Sequence, residues 1–455
     1  MVAWLLDTKP YEVQLEALRR ATDRNRFGFF LDIGLGKTST CLAEFVGLLN
    51  ENKCNSMAIV APNSLKETWE IEAKERNIPV PVVHSPDRVP SSWNSCIYTI
   101  NYEAVIAAAG EHLEEFLADN QIYLVLDESI MIKNFKSKRT KRIRNLAPSA
   151  AYIRLLSGEP QVQSPFDLYP QLRILGADIP TNPYAFRNRY CIMGGFKNKQ
   201  IVGARNEKDL AEKVASVAFV AEAKDWSDLP EKLFSVRHYE MSPPQLHHYR
   251  EMLTEMMTEI NNEEISVQQA ITKSIKLQQI ASGFIIDEIG TPHSIVDRHE
   301  NPKFKALLEL LQNHPNNKFI IVCHYNRTLD SLIEHFNNPP FIRGGMTRDE
   351  ITEAKERFNR GDARELLLQS AAGKYGHTLL GDQDNFPCHH MVFYENTYNL
   401  DNRIQGEGRI RRHGQNYRPT YIDFIGCPEE KKIVTALQRK LNMAQIIKQL
   451  IMQYG

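Results

Sequence analysis

The sequence predicts an α/β protein of two parallel-sheet lobes, with a helical insertion and a β-hairpin between the sheets. Three observations support this prediction. Residues 1–235 and 300–455 each alternate short apolar runs with helical stretches, the pattern of a parallel sheet covered by helices. A glycine-rich turn follows one apolar run, and an acidic pair follows another. Finally, 455 residues are more than one hydrophobic core usually organises.

The first block opens with an amphipathic segment, Tyr11–Ala21, whose helix we expect to have Pro10 at its first position. Apolar runs of strand length follow it. They lack polar alternation, as expected of strands that are buried on both faces of a sheet. The predicted strands are residues 27–31, 57–61, 96–100, 122–127 and 153–157.

The turn after the first predicted strand has the composition of a phosphate-binding loop, Asp32-Ile-Gly-Leu-Gly-Lys-Thr38, with a helix predicted from Thr38. Glycines let backbone N–H groups approach an anion, lysine supplies charge for the outer phosphates, and the threonine hydroxyl can hold Mg²⁺. Leu31 stands where the strict motif has its first glycine. The predicted nucleotide-binding residues of this loop are Gly34, Leu35, Gly36, Lys37, Thr38 and Ser39.

A second buried strand ends in two carboxylates, within Ile122-Tyr-Leu-Val-Leu-Asp-Glu128. Asp127 is predicted to hold Mg²⁺ through water, together with Thr38, and Glu128 to orient and polarise an attacking water. The alternative is a buried strand that ends in solvated acids. Because Lys37 lies at the end of another such strand, we favour a nucleoside triphosphatase that uses ATP and Mg²⁺.

Two basic segments lie in the first block. Residues 133–144 carry seven lysines and arginines and no acids, which predicts a phosphate-contacting element, the alternative being a solvated helix face. Residues 191–205 predict a hairpin that carries Lys197 and Lys199.

The remainder of the chain is predicted as a linker over residues 236–299, helical from 243 to 285, followed by a second lobe to residue 455. The charged amphipathic tail, residues 429–453, is expected to form helix that packs on this lobe. The second lobe's predicted strands are residues 318–323, 365–369, 391–394 and 420–424.

Composition restricts the class of protein. With 42% hydrophobic and 24% charged residues, the chain is neither a disordered nor a membrane protein, and no apolar run approaches bilayer length. The start of the chain lacks the basic segment of a secretory signal. The seven cysteines are scattered without a Cys-x-x-Cys pair, which argues against a disulfide framework or zinc site. We expect a cytoplasmic protein. Its net charge of −1 requires any nucleic-acid groove to be locally basic.

In order, these signals resemble the SNF2-type branch of superfamily 2 helicases and translocases over nearly the whole chain. In the first block the resemblance rests on the glutamine motif around Gln14, the loop ending in Thr38, Ile59-Val-Ala-Pro-Asn-Ser-Leu65 with Trp69, Thr99-Ile-Asn-Tyr-Glu103, and Asp127-Glu-Ser-Ile130. In the second it rests on Lys318–Arg327, Ile342–Arg348, Ser370–Leu379 and Gln405-Gly-Glu-Gly-Arg-Ile-Arg-Arg-His-Gly-Gln415.

The resemblance implies two RecA-like lobes with ATP in the cleft between them. It implies that Gln14 contacts adenine, and that Arg409 and Arg412 are arginine fingers. Because these two arginines lie three residues apart, we expect them on one face of a helix. The predicted catalytic residues are Lys37, Asp127, Glu128, Gln405, Arg409 and Arg412.

The resemblance also implies DNA binding through backbone amides and hydroxyls that contact phosphates without reading sequence. The predicted DNA-contacting residues are Pro62, Asn63, Asn101, Tyr102, Lys133, Asn134, Lys197, Lys199, Arg327, Gly344, Gly345, Ser370 and Gly376.

The function that the resemblance implies is an ATP-dependent helicase or translocase on branched or duplex DNA, in fork remodelling, branch migration, replication, recombination or repair. A minimal prokaryotic or phage form without a histone reader is expected, with replication or recombination proteins as partners and no membrane. Three alternatives stay open: a duplex translocase that displaces proteins, a binding scaffold with an impaired motor, and an RNA substrate.

Departures from the family pattern concern coupling more than chemistry. Ile130 replaces the usual histidine, and Glu159 replaces the usual threonine of Leu156-Ser-Gly-Glu-Pro160. Gly408 and Arg411 replace an aspartate and a histidine of the closing motif. An acid at position 159 is expected to alter or weaken the coupling between ATP and DNA.

Overall fold

The computed structural model describes residues 10–78, 80–85, 95–119, 121–161, 163–195, 198–226, 229–261, 267–372, 378–412 and 414–454. The chain divides into two compact units. The first unit comprises Met1–Asp228 and Lys440–Gly455, and the second comprises Leu229–Arg439. No helix in the described ranges has the length and apolar character that crossing a membrane requires.

The first unit is built on a parallel sheet of seven described strands, in the order β3-β4-β2-β5-β6-β1-β9. Its strands are β1 (Arg26–Leu31), β2 (Ser56–Ala61), β3 (Val82–His84), β4 (Ile97–Asn101), β5 (Ile122–Leu126), β6 (Tyr152–Leu156) and β9 (Ala218–Ala221). Every residue of β2 and β5 is buried. Helices therefore cover both faces of the sheet, as the continuous apolar runs predicted.

The helices of the first unit pack against this sheet, and an apolar core joins buried side chains of helices and strands. They are α1 (Glu12–Ala21), α2 (Lys37–Asn50), α3 (Lys66–Glu75), α4 (Ala109–Asp119), α5 (Lys138–Leu146), α6 (Leu168–Leu175), α7 (Pro183–Tyr190), α8 (Glu207–Ala215) and α9 (Ala223–Trp226). In β1 and β6 the register pairs Phe29 with Leu156, so the loops after these two strands leave the same edge of the sheet.

The predicted basic hairpin is confirmed as an antiparallel pair, β7 (Cys191–Gly194) and β8 (Gln200–Ala204). Gly194 pairs with Gln200 at the end of the described pair, and Gly195, Asn198 and Lys199 lie beyond it. Lys199 is exposed there, whereas Lys197 lies outside the described residues.

The second unit contains a parallel sheet in the order β10-β18-β17-β13-β15-β14, with β16 antiparallel to β17. A separate hairpin is formed by β11 and β12. The strands are β10 (Leu233–His238), β11 (Phe284–Ile286), β12 (Pro292–Ser294), β13 (Lys318–Cys323), β14 (Phe341–Ile342), β15 (Glu365–Gln369), β16 (Gly381–Asp382), β17 (Phe386–Phe393) and β18 (Thr420–Ile425). The helices are α10 (Pro243–Asn261), α11 (Val267–Ala281), α12 (Pro302–Asn313), α13 (Asn326–His335), α14 (Arg348–Asn359), α15 (Leu400–Glu407) and α16 (Pro428–Tyr454).

Two α/β units with parallel sheets are what the sequence predicted, but several boundaries differ. The second unit begins before residue 235, because β10 pairs along its whole length with β18. The C-terminal tail was expected to pack on the second lobe. Instead, Ile447 and Ile451 are buried in the apolar core of the first unit. Pro10 precedes the N-cap residue Tyr11, because the Gln14 side chain accepts a hydrogen bond from the Tyr11 N–H and closes the helix there.

Candidate functional site

The nucleotide loop connects β1 to α2. Gly34 and Gly36 both have left-handed backbones, with φ of 90° and 76°, a conformation that favours glycine. A Cβ on Gly36 would lie 2.1 Å from Nε2 of Gln14, so no larger residue fits there without displacing that side chain. Gly36 provides no side-chain cap for α2, so the N-terminus of this described helix presents backbone N–H groups suited to an anion.

Gln14 and Lys37 both contact the backbone of this loop. Gln14 is buried and its amide donates to the Gly36 carbonyl at 3.2 Å. The Lys37 ammonium donates to the carbonyls of Leu31 and Asp32, at 2.9 and 3.3 Å. Thr38, the next residue, is half-buried, so the loop carries the predicted lysine and hydroxyl and contacts the predicted glutamine. Leu35 is buried, and Ser39 lies in the first turn of α2.

Asp127 is held in a fixed orientation at the end of β5. One carboxylate oxygen accepts from the Trp69 indole N–H at 2.9 Å, and the other accepts from the Glu128 N–H at 2.9 Å. Burial raises the pKa of the Asp127 carboxyl, although the Trp69 hydrogen bond and the charge of Lys37 oppose the shift.

The predicted Mg²⁺ site is consistent with these side chains. The carboxylate of Asp127 and the hydroxyl of Thr38 are oxygen donors of the kind that Mg²⁺ prefers. Burial disfavours the charged form of Asp127, which a divalent cation would stabilise.

Glu128 has a left-handed backbone, with φ of 49°, directly before the turn Ser129–Ile132. This conformation is uncommon for a residue other than glycine, asparagine or aspartate, and such strain concentrates at functional sites. The Glu128 side chain is half-buried beside Asp127, so both predicted acids lie at the same end of β5.

The sequence did not single out Gln171, which joins the acidic pair to the loop after β6. Its amide oxygen accepts from the Ser129 hydroxyl at 2.8 Å, and its nitrogen donates to the Pro160 carbonyl at 2.7 Å. Gln171 is completely buried. It therefore connects the two loops next to Ile130, the position where the family usually has histidine. The only sequence signal for this role was a glutamine within an otherwise largely apolar helix.

The closing-motif arginines of the second unit do not share a helix face, and that prediction was wrong. Helix α15 ends at Glu407, and Arg409 and Arg412 lie in the turns after Gly408. Arg409 is 1% exposed and donates to Gln405 at 3.3 Å. Arg412 is half-buried and donates to the Gly408 carbonyl at 2.8 Å and to the Thr378 hydroxyl at 3.2 Å. Of the two, Arg412 is the side chain nearer the surface.

The predicted DNA-contacting residues of the first unit separate into surface and interior groups. Asn63, which follows Pro62, lies beside Asn101 at the surface. The Asn101 amide nitrogen donates to the Asn63 amide oxygen at 3.3 Å. Tyr102, in contrast, is completely buried, and its hydroxyl donates to the Asp127 carbonyl at 2.7 Å. Its side chain is therefore not a surface contact, which corrects that prediction.

The basic segment of the first unit is partly paired with acids. Lys133 is half-buried and Asn134 is exposed just before α5. On α5, Arg139 and Arg142 pair with carboxylates of the same unit, at 3.2 and 2.7 Å. Because exposed ion pairs contribute at most about 1 kcal/mol, phosphates can replace these acids at little cost.

In the second unit, predicted DNA contacts gather at the carboxyl ends of β13, β14 and β15. Gln369, at the end of β15, connects the segments that follow β14 and β13. Its side chain accepts from the Gly344 N–H and donates to the Asn326 side chain, both at 2.8 Å. Arg327 and Gly345 are exposed nearby in sequence, and the Ser370 hydroxyl lies 3.3 Å from the His324 ring. Gly376 lies outside the described residues.

Two family models match separate parts of the chain. Residues 15–282 match the SNF2-related domain, and residues 302–414 match the helicase conserved C-terminal domain. The chain is 24% identical to "Putative protein p41" of Acyrthosiphon pisum secondary endosymbiont phage 1, over 98% of both chains.

A longer relative and a solved structure are also similar. The "SWI/SNF-related matrix-associated actin-dependent regulator of chromatin subfamily A-like protein 1 homolog" of Caenorhabditis elegans is 24% identical over 84% of this chain and 54% of its own length, so this chain spans about half of it. The solved structure "Sulfolobus solfataricus SWI2/SNF2 ATPase core in complex with dsDNA" is 18% identical, covers 99% of this chain and 95% of that one, and has a TM-score of 0.45.

Proposed function

Because this chain belongs to the SNF2 family of helicase-like, DNA-dependent ATPases, we propose that it moves along DNA at the expense of ATP and separates the strands of branched DNA. The observation that best supports coupling is the hydrogen bond from the Tyr102 hydroxyl to the Asp127 carbonyl. Tyr102 follows directly on the surface residue Asn101, so a phosphate bound there acts on a neighbour of the acidic pair.

In the proposed reaction, the N-terminus of α2 and Lys37 bind the phosphates of ATP, and Lys37 exchanges its loop carbonyls for phosphate oxygens. Glu128 orients a water and accepts its proton as the water oxygen bonds to the γ-phosphorus. The bond between the γ-phosphorus and the bridging oxygen breaks, and ADP leaves. Thr38 and Asp127 would hold Mg²⁺, which would supply charge neutralisation for the phosphate oxygens. Arg412 and Arg409 are proposed to stabilise the transferring phosphoryl group.

The direct test is ATP-dependent strand separation on end-labelled DNA, comparing a forked duplex, a four-way junction and a blunt duplex. We expect single-stranded product from the fork or the junction. Lys37→Ala should remove it, because the phosphate-binding charge is lost. Without product from any substrate, but with DNA-stimulated ATPase, the chain would be a duplex translocase, and displacement of a triplex-forming strand would then measure its movement. Binding without any DNA-stimulated ATPase would indicate a scaffold.

The basic hairpin β7–β8 is the proposed strand-separating element. Replacing residues 195–199 by Asn-Gly should close the two strands with a tight turn, since Gly194 pairs with Gln200. We expect this variant to lose fork unwinding while its DNA-stimulated ATPase stays within about twofold of the unmodified chain.

The matched control for the hairpin is Lys199→Ala, which keeps the length of the segment between the two strands and removes one exposed charge. It should weaken DNA binding slightly, in a salt-dependent manner, and leave unwinding measurable. Normal unwinding by the shortened hairpin would assign β7–β8 a purely structural role.

A further inference from the structure

A buried lysine near the end of the chain lies against the nucleotide loop. Lys448 is on α16 between Ile447 and Ile451, both of which are buried in the apolar core of the first unit. Lys448 itself is only 5% exposed. Its neighbours on the helix therefore fix its place, and its ammonium group needs partners inside the unit.

Three oxygen atoms surround this ammonium group. The Lys448 nitrogen lies 2.6 Å from an Asp32 carboxylate oxygen and 3.2 Å from a Glu159 carboxylate oxygen. The Gly158 carbonyl is 3.5 Å away. Asp32 is the first residue of the nucleotide loop and Glu159 lies in the loop after β6, so a single side chain of α16 holds both loops.

The charges of this cluster depend on one another. Burial by itself would raise the pKa of the Asp32 carboxyl, but the charge and hydrogen bond of Lys448, together with the Ala223 N–H and the charge of Lys37, lower it. In turn, the two carboxylates raise the pKa of Lys448 against the effect of burial. Glu222 adds negative charge nearby, although it pairs with Lys224. Without Lys448, the carboxylates of Asp32 and Glu159 would lose the cation that they share, and their negative charges would repel each other.

The position of Asp32 also affects the phosphate-binding lysine. The second Asp32 carboxylate oxygen accepts from the Ala223 N–H at 2.9 Å, and the Asp32 carbonyl lies 3.3 Å from the Lys37 ammonium. A shift of Asp32 would therefore move the backbone beside Lys37. Glu159, in contrast, belongs to the loop whose Pro160 carbonyl Gln171 connects to Ser129 and the acidic pair.

We propose that Lys448 is a positioning residue for ATP turnover: it joins the nucleotide loop to the loop after β6, so that both are ordered only when the C-terminal helix is seated on the first unit. Glu159, which departs from the usual threonine, is then one of the two carboxylate partners of Lys448. This inference rests on the proposed ATPase function for its turnover readout alone.

The first measurement is equilibrium binding of a fluorescent ADP, which requires neither hydrolysis nor DNA. Lys448→Met should weaken ADP binding at least about tenfold, because Asp32 and Glu159 lose their shared cation. Lys448→Arg, which keeps the charge, should stay within about threefold. Lys432→Met is the control on the same helix, because Lys432 is exposed and pairs with Glu429 of that helix.

The decisive variant combines Lys448→Met with Glu159→Gln. If the loss arises because Asp32 and Glu159 no longer share the Lys448 charge, neutralising one of them should restore ADP binding to within about threefold of the unmodified chain. No recovery would mean that Lys448→Met merely loosens the helix, and the proposal would be overturned, as it would be by normal ADP binding of Lys448→Met. Should Lys448→Met be insoluble, Lys448→Gln, which keeps hydrogen bonds but no charge, replaces it in both measurements.

Turnover separates this inference from the proposed function. Glu159→Gln alone should lower the ratio of ATPase rates with and without DNA about fivefold and leave ADP binding within twofold, because Asp32 keeps Lys448. If the unmodified chain showed no DNA-stimulated ATPase, the proposed function would fail, while the ADP measurements would still decide the role of Lys448.

Discussion

Replacing Arg412 by alanine is expected to lower DNA-stimulated ATP turnover by about 10³-fold or more, the effect of removing an arginine finger. Arg412 is the closing-motif arginine nearer the surface, and its side chain is oriented by the Gly408 carbonyl and the Thr378 hydroxyl. Preorganised charge of this kind acts on the transition state more than on bound ATP. The turnover number should therefore fall while the KM for ATP changes little.

Arg418→Ala is the matched control for this prediction. Arg418 belongs to the same unit, is exposed, and pairs with Glu231 at 2.9 Å, so its removal should leave turnover unchanged. Arg409→Ala is a poorer test, because Arg409 is buried and its loss should also destabilise the unit. Turnover by Arg412→Ala equal to that of the Arg418→Ala control would exclude Arg412 as a finger.

The sequence predicted the strands of the sheets well where burial on both faces left a continuous apolar run. Strands β13 and β15 have the predicted bounds, and β5 ends one residue before its predicted end. β9 and β10 were missed for physical reasons. β9 has four residues, too few for a periodicity to appear, and β10 is an edge strand with mostly exposed side chains. β9 is apolar and fully buried but at the lower limit of strand length, whereas β10 lacks the composition of a strand buried on both faces.

In the candidate site, features that depend on a short segment were predictable, whereas contacts between residues far apart in sequence were not. The turn around Gly36 was predictable because backbone approach to an anion requires glycine in a short segment. The pairing of Lys448 with Asp32 was not, since 416 residues separate them and a single lysine on an amphipathic helix indicates a solvated surface. The prediction that Arg409 and Arg412 share a helix face was wrong, because the spacing of two residues does not show where α15 ends.

Replacing Glu128 by glutamine should lower ATP turnover by about 10²- to 10⁴-fold, the range that a general base contributes. Glutamine keeps the size of the side chain and can still hydrogen-bond a water, but it cannot accept the proton at neutral pH. Because Glu128 has a left-handed backbone, this substitution is preferable to one that alters the Cβ or the backbone strain. Equilibrium binding of ATP and of DNA should stay within about threefold of the unmodified chain.

Asp127→Asn provides the contrast that separates the roles of the two acids. Asp127 is buried and bonded to Trp69, and it is the proposed Mg²⁺ residue, so its substitution should weaken Mg²⁺-dependent ATP binding as well as turnover. Glu128→Gln should lose turnover alone. If both variants weakened ATP binding equally, the two acids would act as one binding group. If Glu128→Gln hydrolysed ATP at the unmodified rate, another group would have to activate the water.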